Sequence, residues 1–203
     1  MNIFSLLRRL SSFQIIVLSF ALLIGSGTLL LMTPWATQDG QGAALLPACF
    51  TAVSASCVTG LTVVDTASYW SHFGQLVILM LIQVGGLGVV TMAVAITVGM
   101  GQHVGLMQRS TMQEATAAPQ MGGIVRLTGF ILRITALFEL AGAALLLPTF
   151  CADYGLRGIW YALFHSISAF CNAGFDLLGT EGAKFVSLTR YAGCLLYTSD
   201  AAD

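Results

Sequence analysis

Apolar residues run almost unbroken from Phe13 to Met32, from Phe73 to Val98 and, with charges set inside the run, from about Ile124 to Phe150. A hydrocarbon core of about 30 Å is crossed by about 20 apolar residues in a helix, so each stretch predicts a membrane span. Two further apolar pieces, Ala43 to Ser56 and Ile159 to Phe170, are too short to cross and predict half-spans that enter and leave by one face. The order is therefore span, half-span, span, then span, half-span. Arg8 and Arg9 ahead of the first run raise the alternative of a secretory signal. Such a signal has an apolar region of only about 7–15 residues, so the longer run here reads as a span.

Arg8 and Arg9 flank the first span, and Arg109 and Arg126 lie in or beside the 99–123 link, whereas the connections around Asp39, Asp65 and Asp153 hold a single basic residue, Arg157. Basic residues gather on the cytoplasmic side, which puts the N-terminus and the 99–123 link inside. Both half-spans then enter from the outer face.

The two half-spans also align with each other. Ala48, Phe50, Ser54, Ala55, Cys57, Gly60 and Thr66 match Ala162, Phe164, Ser168, Ala169, Cys171, Gly174 and Thr180 at one unbroken offset of 114 residues. The expected unit is span, short helix, loop, span. It divides the chain into a first repeat at 1–98, a cytoplasmic link at 99–123 and an incomplete second repeat at 124–193, about one and a half repeats of an all-α membrane fold.

Irregular backbone at membrane depth is tolerated only where it is buried in protein or lines a water-filled cavity. Each half-span leads into a loop of small residues with one glycine at the same place, Cys57-Val-Thr-Gly-Leu61 and Cys171-Asn-Ala-Gly-Phe175. Glycine admits positive φ, so carbonyl oxygens from Val58, Thr59, Gly60 and Leu61, and from Asn172, Ala173, Gly174 and Phe175, can turn toward one axis. Rings of carbonyls replace the water shell of a potassium ion. The C-terminal end of each short helix adds about half a negative charge pointed at the membrane interior. Asp65 and Asp176 lie a few residues further on, either as acids that concentrate cations at an outer mouth or as ordinary solvated carboxylates.

Composition narrows the alternatives. Hydrophobic residues make up 57 % and charged residues 8 %, and the net charge of −1 offers no surface for neutralising phosphates, which excludes nucleic acid as a partner. Cys49, Cys57, Cys151, Cys171 and Cys194 form no close pair, and they read as small packing residues rather than a metal or disulfide site. Gly85, Gly86 and Gly88 lie inside a span with no strand before them. They read as close-packing positions of the second span against a short helix, not as a nucleotide fingerprint. His165 and His72 read as packing or interfacial residues. No nucleophile with a base converges on a cavity, so no enzyme is expected.

Arg133 and Glu139 fall inside the third span, where an ionisable group costs at least about 2.5–3.5 kcal/mol and should face a bundle or cavity. Six residues apart, they do not share a helix face. Arg126 and Arg133 do share one, and snorkelling toward the cytoplasm accounts for them. For Glu139 a functional role and a buried structural hydrogen bond stay open.

The segments Phe50-Thr-Ala-Val-Ser-Ala-Ser-Cys-Val-Thr-Gly-Leu-Thr-Val-Val-Asp-Thr66, Gln83-Val-Gly-Gly-Leu-Gly88 and Phe164-His-Ser-Ile-Ser-Ala-Phe-Cys-Asn-Ala-Gly-Phe-Asp176, with Gln113-Glu114 in the link, resemble the Trk/Ktr/HKT superfamily of potassium transporters. The resemblance is closest to the Ktr-type (KtrB-like) membrane subunit and covers about residues 10 to 193. It implies an all-α fold of the potassium-channel-like type with four span–pore helix–filter loop–span repeats, the selectivity glycines falling here at Gly60 and Gly174. It also implies potassium uptake, in some members with sodium dependence, no bound cofactor, and a homodimer in the plasma membrane among its lipids. The expected cytoplasmic partner is a ring of nucleotide-binding regulatory (KtrA-like) subunits. After Leu188-Thr-Arg-Tyr-Ala-Gly193 the sequence departs from the family pattern, and 194–203 is expected to be a non-native tail on a C-terminally truncated chain. Two other readings are weighed. One is a re-entrant-loop transporter of another cation or solute, for which polar loop side chains are scarce. The other is a non-transporting membrane assembly protein, whose half-spans rest at the interface.

Overall fold

The computed structural model describes residues 12–88, 91, 124–180 and 182–183. Arg8, Arg9, most of 89–98, the 99–123 link with Arg109, Gln113 and Glu114, and the 194–203 tail lie outside the described residues. Among those described, the chain forms α1 (Ser12–Leu31), a 3-10 turn (Pro34–Ala36), α2 (Leu45–Ser56), α3 (Thr66–Tyr69), α4 (His72–Leu87), α5 (Ile124–Tyr154) and α6 (Arg157–Phe170). Extended pairing among these residues amounts to two isolated bridges, Thr37 with Trp70 and Thr180 with Ala183, so the fold is all-α with no strand.

Helices α1 and α5 are long and apolar enough to cross a membrane, over Gln14–Leu31 and Arg126–Tyr154. The 20 residues of α1 reach about 30 Å at 1.5 Å per residue, one hydrocarbon thickness. Two of its hydroxyls bond back inside the helix: Ser19 Oγ donates to Ile15 O at 2.7 Å and Thr28 Oγ1 to Ile24 O at 2.8 Å. The large side chains Leu22, Leu29, Leu137, Leu140 and Leu145 are all more than 60 % exposed, a surface suited to acyl chains rather than to water.

The chain divides into two compact units, Met1–Leu23 with Leu87–Thr135, and Ile24–Gly86 with Ala136–Asp203. In the first, the described part of α5 buries Thr128 and leaves Arg126 and Arg133 exposed. The second holds both short helices. Its centre is α4, which buries Gly74, Gln75, Val77, Ile78, Leu79, Leu81 and Ile82 around most of its circumference, as a helix apolar on all sides should. Gln75 Nε2 donates to Trp70 O at 3.1 Å and Trp160 Nε1 donates to Gln75 Oε1 at 2.9 Å, which ties α4 to α6. At the corner from α5 to α6, Gly155 N donates to Cys151 O at 3.0 Å and ends α5. Behind this corner Leu146, Phe150, Ala162 and Leu178 form an apolar cluster.

The runs place the first and third spans and both half-spans to within a few residues, but the second span, expected over 73–98, is a helix over His72–Leu87 that gives way to the left-handed Gly88, and most of 89–98 lies outside the described residues. The third span continues to Tyr154 rather than stopping at Phe150, because Pro148 lies inside the helix without ending it. The second half-span begins at Arg157 rather than Ile159, directly after the corner.

Candidate functional site

Helices α2 and α6 end in the same way, residue for residue. After α2, Val58 N donates to Ala55 O at 3.4 Å and Thr59 N to Ser54 O at 3.0 Å; after α6, Asn172 N donates to Ala169 O at 2.9 Å and Ala173 N to Ser168 O at 2.7 Å. This pair of reversed bonds is the Schellman ending, which needs a left-handed residue just past the cap. Val58 takes φ 57° and Asn172 φ 55°, and two residues later Gly60 takes φ 72° and Gly174 φ 66°. All four lie in the left-handed region, at the 114-residue offset read from the sequence.

The two turns meet. A Cβ placed on Gly60 would lie 2.7 Å from Ala173 O and 3.2 Å from Gly174 Cα. On Gly174 it would lie 3.3 Å from Gly60 Cα. Only glycine combines positive φ with this approach of backbone to backbone. Among the described residues, no hydrogen bond ends on the carbonyl oxygens of residues 58–61 or 172–174, while Phe175 O accepts from Ser168 Oγ at 2.7 Å. Oxygens left without donors are available to a passing ligand.

The helices behind the turns hold them. Thr59 Oγ1 donates to Ser54 Oγ at 3.0 Å, and Ser168 Oγ also accepts from Phe175 N at 3.0 Å. His165 is buried; its Nε2 accepts from Leu177 N at 3.3 Å, which leaves Nδ1 to donate to Tyr161 O at 2.7 Å. It pins the exit of the second loop, in keeping with a packing residue. Of the filter candidates, Ala173 and Phe175 are buried, while Thr59, Leu61, Asn172 and Gly174 are exposed.

The acids beyond the loops differ from one another. Asp65 is 5 % exposed and caps α3, its Oδ1 accepting from Ser68 N and Ser68 Oγ at 2.8 Å each. A Cβ on Gly179 would collide with this carboxylate, so the cap packs on the segment that leaves the second loop. Asp176 is half-buried and its Oδ1 accepts from Leu178 N at 3.0 Å.

Helix α4 reaches both turns through its glycines. A Cβ on Gly85 would collide with Ser56 O at the end of α2, and one on Gly86 would lie 2.8 Å from Cys171 Sγ at the end of α6. The close packing expected of the second span against a short helix is what these glycines allow. Two residues earlier, Gln83 Nε2 donates to Glu139 Oε2 at 3.0 Å. Glu139 is buried on α5, whereas Arg133 is exposed. Cys49, Cys57, Cys151 and Cys171 are free thiols, and no group of three metal-binding side chains occurs among the described residues.

Sequence reasoning passed over two features. The left-handed Val58 was signalled by its alignment with Asn172, a residue that tolerates that conformation. The cap on α3 was signalled by Asp65 three residues ahead of Ser68.

The sequence matches the TrkH family, described as a cation transport protein, over residues 7–188. The chain belongs to the TrkH family. Members similar to it include the potassium/sodium uptake protein NtpJ of Enterococcus hirae, 38 % identical over 173 residues, which are 85 % of this chain and 38 % of that protein. The Ktr system potassium uptake protein B of Bacillus subtilis is 42 % identical over 165 residues, 81 % of this chain and 37 % of that protein. Its namesake from Vibrio alginolyticus is 35 % identical over 176 residues, 86 % and 38 %. This TrkH chain therefore spans about two fifths of the length of the curated relatives it matches. Membership makes it a membrane protein of a transporter family, not of an enzyme family.

Proposed function

We propose that the chain supplies two of the loops of a potassium-selective filter, and that the complete protein takes up potassium across the plasma membrane. The observation that carries this reading is the contact of Gly60 with Ala173 and Gly174, between two turns of equal conformation in which, among the described residues, the carbonyl oxygens of residues 58–61 and 172–174 accept no hydrogen bond. A dehydrated cation needs oxygens that the fold has not already used. Helices α2 and α6 end at these turns and add their negative poles. The ion-binding residues are Val58, Thr59, Gly60 and Leu61 with Asn172, Ala173, Gly174 and Phe175; Asp176, and Asp65 through its cap, shape the outer mouth.

The finer architecture belongs to the same proposal: a first repeat at 1–98, a cytoplasmic link at 99–123, a second at 124–193, a non-native tail at 194–203 and a cytoplasmic N-terminus. The matched cap bonds at an offset of 114 residues support the repeat. The names of the relatives support potassium as the ion, with sodium in addition for one of them. The word "system" in the Ktr names supports a partner, which we take to be a nucleotide-binding regulatory subunit on a homodimer.

The test is uptake by the complete protein in cells lacking other potassium transporters. Gly60→Ser adds a Cβ and hydroxyl where 2.7 Å separates the site from Ala173 O, and the preference for potassium over sodium is expected to fall at least about ten-fold, the effect of about 1.4 kcal/mol. An unchanged preference would remove the filter from these loops.

A further inference from the structure

We propose that Glu139 is a positioning residue for the filter, acting through Gln83 on the first residue of the second loop. This rests on the filter reading above. Glu139 is 7 % exposed, in a span where an ionisable side chain is seldom kept without a task. One carboxylate oxygen, Oε2, accepts from Gln83 Nε2 at 3.0 Å, and the other, Oε1, is buried with no hydrogen-bond partner among the described residues. Its own backbone is fixed to α6, because Ser166 Oγ donates to Glu139 O at 2.6 Å.

A carboxylate can only accept, so the group of Gln83 that faces it must be the NH₂. The amide oxygen of Gln83 is thereby turned the other way, to Cys171 Sγ at 3.7 Å, where the thiol donates. Cys171 caps α6 and precedes the left-handed Asn172. The same stretch of α4 meets both loops: Gly85 lies on Ser56 O and Gly86 on the Cys171 side chain. Residues 83–86 thus form a bracket between the two pore-helix ends, and Glu139 decides which end of the Gln83 amide grips the second. No other described side chain orients that amide.

The experiment uses the complete protein and four forms: unaltered, Glu139→Leu, Gln83→Leu, and the exchange Gln83→Glu with Glu139→Gln. In the exchange the new glutamine donates to the new glutamate, which still accepts from Cys171. Two quantities are read at matched amounts in the membrane. One is the potassium-over-sodium uptake ratio. The other is the rate of alkylation of Cys171 by a small maleimide, with the remaining cysteines replaced by serine. Each single substitution is expected to lower the ratio about ten-fold, the loss of one charge-assisted hydrogen bond, and to speed alkylation several-fold. The exchange restores both, which removal of bulk or polarity alone would not do.

Singles that leave the ratio unchanged overturn the proposal, as does an exchange as impaired as the singles. Alkylation that rises while the ratio stays fixed also overturns it, since Cys171 would then be held without consequence for the filter. If a single fails to reach the membrane, the exchange compared with the unaltered protein still decides. An unaltered complete protein with no potassium preference would instead sink the filter reading, and alkylation would still report on the bracket.

Discussion

Val58 and Asn172 occupy equivalent left-handed positions, yet only one is a residue that tolerates them well. Asn172 is exposed, so its side chain contributes little by burial, and the backbone preference dominates. Asn172→Val is expected to destabilise the complete protein by about 1 kcal/mol, the left-handed cost of a branched residue, and Asn172→Gly to stay within a few tenths. Denaturant unfolding in detergent measures both, and equal stabilities for the two would contradict the strain. Asp39, in the loop after α1, gives a second expectation. The Thr37 hydroxyl, and then the Gln41 N–H, hold its carboxyl below the ordinary 3.8. A depressed folded value adds stability above the unfolded value, and that stability is lost as pH falls through the folded one. The difference in unfolding midpoint between the protein and Asp39→Asn should therefore shrink from about pH 6 to about pH 3. A difference that grows on acidification would reverse the sign. At this scale the sequence was informative about residue type but not about partners. Gly60 and Gly174 stand out by their offset, whereas nothing in the order of residues brings Gln83 to Glu139 or Asp65 against Gly179, because those pairings form only when distant helices pack.

At the scale of elements, length against membrane thickness was a sound guide, since it rests on a property of the solvent rather than on side-chain detail. Helices emerged where the runs for the first span, the third span and both half-spans put them, whereas the run at 73–98 is described as a helix only over His72–Leu87, most of 89–98 lying outside the described residues. What escaped was short: the four residues of α3 and the three of the 3-10 turn carry too few positions for a period to register. Packing between elements was half legible. Small residues in α4 signalled close approach but did not say which glycine meets which helix. Gly85 lies against backbone, Ser56 O, which cannot swing aside as a side chain can. Gly25 on α1 has nothing within 4 Å of a Cβ placed there. Gly25→Ala is therefore expected to leave the amount of folded protein unchanged or raise stability by up to about 1 kcal/mol, through helix propensity alone. Gly85→Ala should part α4 from α2 and cut both folded yield and uptake. Equal yields of the two variants by size-exclusion chromatography would show that α4 does not press on the end of α2.

For the whole molecule the governing fact is geometric. A potassium ion stripped of water is held by carbonyls arranged around it, and on the filter reading proposed above the two turns in contact at Gly60 and Gly174 would supply one arc of such a ring. The curated relatives are more than twice as long as the matched part of this chain, which leaves room in them for further arcs of the same kind. On that reading one copy of these 203 residues, taken alone, would present an open half-filter that encloses no ion. Such a site gives up the difference between potassium and sodium, because water can complete the shell of either ion equally well. The expected outcome is that monomers of this chain, purified and placed in vesicles, carry no potassium flux above that of empty vesicles in a rubidium-uptake assay. Flux should appear when the chain is joined to the part of a relative, such as the Bacillus subtilis protein, that the match does not cover. Potassium-selective flux from the isolated monomer would mean that two turns suffice, and the encirclement on which the filter reading depends would have to be abandoned.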